Sequence, residues 1–190
     1  MALFASEGDL LGAPILPGLR QCRDIVSAEE EAELIRRIDA VDLTPFRFQG
    51  FLGKRLTASF GWRYDYDKAA YERSTPIPDF LLPVRARAAA FAGLGDEDLV
   101  QALLIRYDPG AGIGWHRDRP MFEHVIGISL GAEAIMRLRK RADRGFARAK
   151  APLNPRAAYH LSGEARWAWE HSIAEMTVTR WSVTFRSLAR

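Results

Sequence analysis

Cysteine is almost missing from this chain: Cys22 is the single one in 190 residues. That excludes an intramolecular disulfide and gives no support to a cysteine-based zinc site. A lone thiol is compatible with a reducing compartment. Long apolar runs are missing as well. No stretch reaches the roughly 18 residues that a membrane-spanning helix needs. The first twelve residues carry Glu7 and Asp9 and no basic stretch, unlike a secretory signal. The expected setting is the cytoplasm, with no membrane partner. Repeats and low-complexity tracts are also missing. With 48% hydrophobic, 27% charged and 11% aromatic residues, the composition excludes a disordered or collagen-like chain. The length argues for one domain, residues 1–190, with a core of its own.

The net charge of +3 is modest, but its distribution is uneven. Residues 137–150 hold seven basic side chains (Arg137, Arg139, Lys140, Arg141, Arg144, Arg148, Lys150) against one acid, Asp143, so the remainder of the chain is net negative. Two readings stay open for this segment: a solvated loop, or a surface that contacts phosphates.

Glycine and proline punctuate residues 1–20, which reads as chain running over the surface. Ser27 with Glu30 forms a capping box, and Leu34, Ile35 and Ile38 follow at helical spacing, so a helix is predicted there. A second helix is predicted from near Pro78, burying Leu81, Leu82, Val84, Ala88 and Phe91 and stopping at Gly93 and Gly95. From Leu99 onward strands and turns take over: Val100–Tyr107, His124–Leu130, Ala134–Leu138, Arg156–Leu161 and Met176–Ser187. Helices first and short strands afterwards predict an α+β protein whose second half is an antiparallel sandwich or barrel.

Trp115-His116-Arg117-Asp118 contains His-x-Asp, and residues two apart on extended chain can reach one metal. Alone this pair is common by chance. Glu170-His171-Ser172 supplies a second imidazole. After it, Arg180, Ser182, Thr184 and Arg186 alternate with Trp181, Val183 and Phe185, as on one strand. Two arginines and two hydroxyls on one face suit a pocket for a small anion; an edge strand with its polar face in water is the alternative. Two histidines and a carboxylate on one side of a metal describe the facial triad of non-haem iron oxygenases. An arginine on the next strand could then receive the distal carboxylate of 2-oxoglutarate. His124 and His160 border apolar runs, are not followed by such a strand, and read as structural.

These stretches resemble the AlkB-like family of Fe(II)- and 2-oxoglutarate-dependent dioxygenases. The resemblance rests on Arg106-Tyr107-Asp108-Pro109-Gly110, His116-x-Asp118, Ile128-Ser129-Leu130-Gly131, Leu161-Ser162-Gly163-Glu164-Ala165-Arg166, Trp169-Glu170-His171 and Arg180-x-Ser182-x-Thr184-x-Arg186. It implies a double-stranded β-helix (jelly roll) core buttressed by N-terminal helices. It also implies Fe(II) as cofactor, with 2-oxoglutarate and O2 as cosubstrates. His116, Asp118 and His171 match the family's iron ligands. Tyr107, Arg180, Ser182 and Arg186 match the cosubstrate pocket. Ser182 stands where the pattern more often has Asn, and Ile105 likewise departs from it.

The resemblance further implies a substrate lid at residues 46–66. Phe48, Lys54, Arg55, Trp62 and Tyr64 there would stack on an extruded base or hold flanking phosphates; the alternative is a hairpin whose aromatics pack on the core. The implied reaction is oxidative demethylation of N-alkylated nucleobases in single-stranded or otherwise alkylated DNA or RNA, releasing succinate, CO2 and formaldehyde. One position departs from the repair enzymes: Pro120 stands where they carry a base-recognising Asp, which leaves a protein or small-molecule substrate as the alternative. A binding module on a degraded oxygenase fold is the third reading, and the intact triad and arginines oppose it.

Overall fold

Among the described residues two antiparallel sheets are built from β1 (Leu19–Cys22), β2 (Thr44–Phe48), β3 (Phe51–Asp65), β4 (Ala70–Arg73), β5 (Leu99–Tyr107), β6 (Ile113–His116), β7 (Phe122–Gly131), β8 (Ala134–Arg141), β9 (Phe146–Leu153), β10 (Ala158–Leu161), β11 (Glu170–Ile173) and β12 (Arg180–Leu188). The larger sheet has the strand order β1-β10-β7-β12-β5-β3-β2, with β4 paired to β3, and the smaller the order β6-β11-β8-β9. Three α-helices accompany them among the described residues: α1 (Ala28–Asp39), α2 (Leu82–Ala92) and α3 (Gly163–Trp167). This computed structural model describes residues 15–48, 51–65 and 70–189, without the side chains of 47–48, 51–52, 63–65 and 70–73. No helix among the described residues is long and apolar enough to cross a membrane.

The architecture is the expected jelly roll. Helices α1 and α2 cover the outer face of the larger sheet. Leu34, Ile38, Val84 and Ala88 pack there against Leu104, Ile128, Val183 and Phe185. The Ser27 hydroxyl accepts from the Glu30 amide while the Glu30 carboxylate accepts from the Ser27 amide, so the capping box forms as read. Gly93, at φ +75°, ends α2 in the left-handed conformation that glycine adopts without steric cost. A second apolar cluster fills one end of the space between the sheets, with Val125, Met136, Leu138, Ala151, Leu153 and Leu161. The other end holds the inward polar side chains together with a smaller apolar group, Ile105, Tyr107 and Ala111.

Several expectations need correction. Leu82 is 36% exposed, because a 3-10 turn over Asp79–Leu81 precedes α2 and rotates it outward. Residues 1–14 lie outside the described set, but Leu16 and Leu19 are buried rather than on the surface, in the apolar cluster that also holds Leu161, and Leu19 pairs through β1 with β10. The last strand begins at Arg180, not Met176. The basic segment is not a loop: it spans the second half of β8, a turn and most of β9, which pair from Ala134↔Leu153 to Arg141↔Phe146. Strand β12 is no edge strand, for it lies between β5 and β7.

Candidate active site

The site is built where the two sheets face each other at their polar end. On the smaller sheet, His116 closes β6 and lies directly opposite His171 on β11. Asp118 follows two residues after His116. Their ligand atoms lie within 4.8 Å of one another, and this is the one such group among the described residues. His171 Nε2 is 3.6 Å from Asp118 Oδ2, and the two imidazole centroids are 4.2 Å apart.

The electrostatics suit a cation. Burial lowers the His116 pKa and takes that of His171 down to about 3, so both imidazoles stay neutral and keep a lone pair free. His116 Nδ1 is 2.9 Å from the Gly114 carbonyl. It therefore carries the proton that donates to that oxygen, and Nε2 is left as the ligating atom. Burial would push the Asp118 carboxyl up, but Arg186 and then the imidazoles outweigh it and hold it below the usual carboxylate range.

The larger sheet supplies the opposite wall. Register places Arg180 beside Tyr107 and Gly131, Ser182 beside Ile105 and Ser129, Thr184 beside Leu103 and Gly127, and Arg186 beside Gln101 and Val125. All four β12 side chains therefore face inward, as their alternation predicts. Arg180 is 1% exposed. Its Nε donates to Ser129 Oγ at 3.1 Å and its guanidinium lies over the Tyr107 ring at 5.3 Å. Its Nη1 has no hydrogen-bond partner among the described residues. A buried cation with an unpaired N–H is costly unless an anion completes it.

These pieces match one family over nearly the whole chain. The profile described as "2OG-Fe(II) oxygenase superfamily" matches residues 18–186. The chain belongs to this superfamily. Its members are 2-oxoglutarate-dependent dioxygenases that use Fe(II), 2-oxoglutarate and O2. Among curated proteins, the oxygenase is 30% identical over 171 residues to "tRNA (carboxymethyluridine(34)-5-O)-methyltransferase alkbh8" of Xenopus tropicalis, covering 87% of this chain and 26% of that protein. It is 29% identical over 182 residues to "Alkylated DNA repair protein ALKBH8 homolog" of Arabidopsis thaliana, covering 83% of this chain and 51% of that one. The chain thus spans a quarter to a half of the length of these relatives. The likeness to AlkB proteins expected from the motifs holds. In fold, the oxygenase superposes on OsALKBH1 with a TM-score of 0.69 at 16% identity, covering 90% of this chain and 97% of that one. A prolyl-4-hydroxylase of Pseudomonas putida gives 0.64 at 15% identity, covering 90% and 93%.

The residues present fit both groups that the family's chemistry needs. Two neutral imidazoles and a carboxylate are a donor set for Fe(II) with coordination positions left over. The orphaned Nη1 of Arg180 is the kind of donor that a dicarboxylate would satisfy. Three contributors have no role assigned by the motifs, although Ser129 lies within one of them. Tyr159 on β10 is part-buried within electrostatic reach of Asp118, Tyr107 and Arg180, and desolvation raises its phenol to about 12, so it stays protonated. Gln101 accepts from Arg186 Nη1 at 2.7 Å, and Ser129 anchors Arg180. Only cross-strand register reveals them: Ser129 opposite Ser182, Gln101 opposite Arg186, Tyr159 opposite Gly127.

The expected lid is the β2–β3 hairpin, whose long strand β3 pairs with β5. Lys54 is exposed and forms an ion pair with Glu175 at 3.2 Å. Arg55 stacks on Phe46 at 4.0 Å, and its charge helps lower the His116 pKa. Trp62 is half-buried. The side chains of Phe48 and Tyr64 lie outside the described set. His124 and His160 sit away from the triad and bond to each other, Nδ1 to Nε2, at 2.9 Å.

Proposed function

We propose that the chain is the oxygenase domain of an enzyme that removes N-linked alkyl groups from nucleobases of DNA or RNA, with His116, Asp118 and His171 holding Fe(II). The observation that carries the oxidative half is the pairing of the triad with the unpaired Nη1 of Arg180 on the facing sheet. When bound, Fe(II), 2-oxoglutarate and O2 supply the oxidation: 2-oxoglutarate becomes succinate and CO2, the target methyl becomes hydroxymethyl, and on nitrogen that group leaves as formaldehyde.

The chain's own residues do the positioning. Gly114 fixes the His116 tautomer and Arg186 orients Asp118. Arg180, with Tyr107 and Ser182 beside it, takes the distal carboxylate of 2-oxoglutarate, and Tyr159 supplies a protonated phenol to the same pocket. Leu103 and Ile105 give that wall its apolar part and limit water near the oxidant. The β2–β3 hairpin is the lid in this reading, with Lys54, Arg55 and Trp62 as its described candidates for substrate contact.

The printed names of the relatives, one a tRNA methyltransferase and one an alkylated-DNA repair protein, support a nucleic-acid substrate. The lone, part-buried Cys22 supports a cytoplasmic setting. A protein or small-molecule substrate is the second reading, favoured by Pro120, which offers no side-chain donor or acceptor just beyond Asp118. Mass spectrometry of methylated single-stranded DNA and RNA oligonucleotides, incubated with Fe(II), 2-oxoglutarate and ascorbate, decides between them. Loss of one methyl mass, absent with His116→Ala, is the expected result. Succinate formation with no oligonucleotide in the panel altered would transfer the reading to the second class.

A further inference from the structure

The outward face of the smaller sheet carries an arrangement that stability does not explain. On β8, Arg137, Arg139 and Arg141 alternate with Met136 and Leu138, which are buried. Leu138 lies opposite His171, so the guanidiniums leave the sheet on the side away from the metal ligands. Strand β9 adds Phe146, Arg148 and Lys150 on the same face. The register sets Arg139 opposite Arg148 and Arg137 opposite Lys150. Like charges directly opposite on antiparallel strands destabilise a sheet, and here two such pairs are neighbours.

Little on the molecule neutralises them. Arg139 has Glu170 at 2.6 Å, and Arg137 bonds to the Ser172 hydroxyl at 3.1 Å. Arg141, Arg148 and Lys150 are exposed and have no carboxylate partner among the described residues. Aromatic rings hold the cations in place without discharging them. Trp115 on β6 lies under Arg139 at 4.4 Å and Arg137 at 5.4 Å, and Phe146 under Arg139 at 4.6 Å, Arg141 at 5.3 Å and Arg148 at 5.9 Å. The rest of the chain is net negative, so this is where its basicity is concentrated.

We propose that this face docks the phosphate backbone of a single nucleic-acid strand. Guanidinium forks match phosphate oxygens, and cations interleaved with rings are the means by which proteins hold single strands without reading sequence. The topology connects the face to the chemistry. Strand β6 is the sheet's edge, Trp115 on its outer side immediately precedes His116 on its inner side, and Arg117 and Arg119 continue the chain past that edge. A strand laid from β9 toward β6 leaves the face beside the metal ligands. The inference rests on the nucleic-acid reading of the substrate but assigns a surface outside the catalytic cavity.

The test is fluorescence anisotropy of a labelled, unmethylated 20-residue single strand across a salt series. It compares the wild-type protein, Arg141→Ala/Arg148→Ala/Lys150→Ala, and a charge-matched control, Arg23→Ala/Arg36→Ala/Arg37→Ala. All six side chains are exposed, and melting curves verify that each variant is folded. The face variant should bind at least tenfold more weakly. Its log–log salt slope should fall by about 2, from about 0.7 per lost phosphate contact, with the control unchanged. Equal weakening in both variants, no weakening in either, or no strand binding by wild type overturns the proposal. Catalysis is read separately on the methylated strand. Demethylation by wild type and the face variant alike, with unchanged strand affinity, would sink the docking face and spare the substrate reading. Strand binding through the face without demethylation would do the reverse.

Discussion

Arg186 lies alongside Asp118, donating from Nε and Nη2 to Oδ1 at 2.8 and 2.7 Å, while its Nη1 donates to Gln101 at 2.7 Å. Asp118 is thereby held as an oriented carboxylate with Oδ2 turned toward His171. An outer partner of this type sets the ligand's direction and basicity, and its loss typically costs 10–100-fold in metal affinity. Arg186→Met should therefore weaken Fe(II) binding by about one to two orders of magnitude, read by anaerobic metal titration. Unchanged affinity would show that Asp118 is oriented by something else.

Arg180 invites two effects of opposite sign. Its buried Nη1 lacks a partner until an anion arrives. The desolvation penalty of a buried ion is several kcal/mol, and here only part of it is offset within the protein. Arg180→Met should raise the melting temperature without cosubstrate and weaken 2-oxoglutarate binding by at least about 100-fold, given roughly 3–5 kcal/mol for one partner of a buried pair. Calorimetry with and without 2-oxoglutarate reads both. A variant that melts lower and binds 2-oxoglutarate normally would contradict the assignment.

Gly127 leaves the space that the Tyr159 ring occupies. A Cβ on residue 127 would fall 2.2 Å from Tyr159 Cζ, far inside van der Waals contact. Gly127→Ala should destabilise the protein by about 1–3 kcal/mol through overpacking and raise the KM for 2-oxoglutarate. Tyr159→Ala should largely relieve the steric cost, so the double mutant should be less destabilised than the single effects add up to. Strict additivity in urea denaturation would refute the contact.

His160 makes stability depend on pH. Burial, with His124 and Arg20 nearby, lowers its pKa from 6.5 to about 4. As pH falls through 6.5 the unfolded chain takes up a proton and the folded chain does not, so the unfolded state gains. The loss accumulates between pH 6.5 and about 4 and levels off below, once both states are protonated. Its size is on the order of 3 kcal/mol. His160→Gln should flatten this limb in chemical denaturation series, and an unchanged slope would assign the acid limb to other groups.

How much was legible follows from what each signal depends on. The His116–Asp118 pair, His171 and the inward set Arg180, Ser182, Thr184 and Arg186 lie on short extended segments, where period two alone sets the face. Strand β9 is hard to read because the residues that alternate with its cations are Ala147, Ala149 and Ala151, too small for a hydrophobic pattern, and only Ala151 is buried. Leu82 was misplaced because periodicity cannot see the 3-10 turn that rotates the helix. Tyr159, Gln101 and Ser129 depend on register between strands distant in sequence, which composition and spacing do not encode.

The proposed action of the triad and Arg180 on N-alkyl groups of nucleic acid is tested most directly by the stoichiometry of succinate and formaldehyde from a methylated single strand, measured for wild type, His171→Ala and Arg180→Met. One formaldehyde per succinate in wild type, with both products lost in the two variants, is the expected result. Undiminished succinate in the variants, or wild-type succinate without formaldehyde across methylated DNA and RNA, would contradict it.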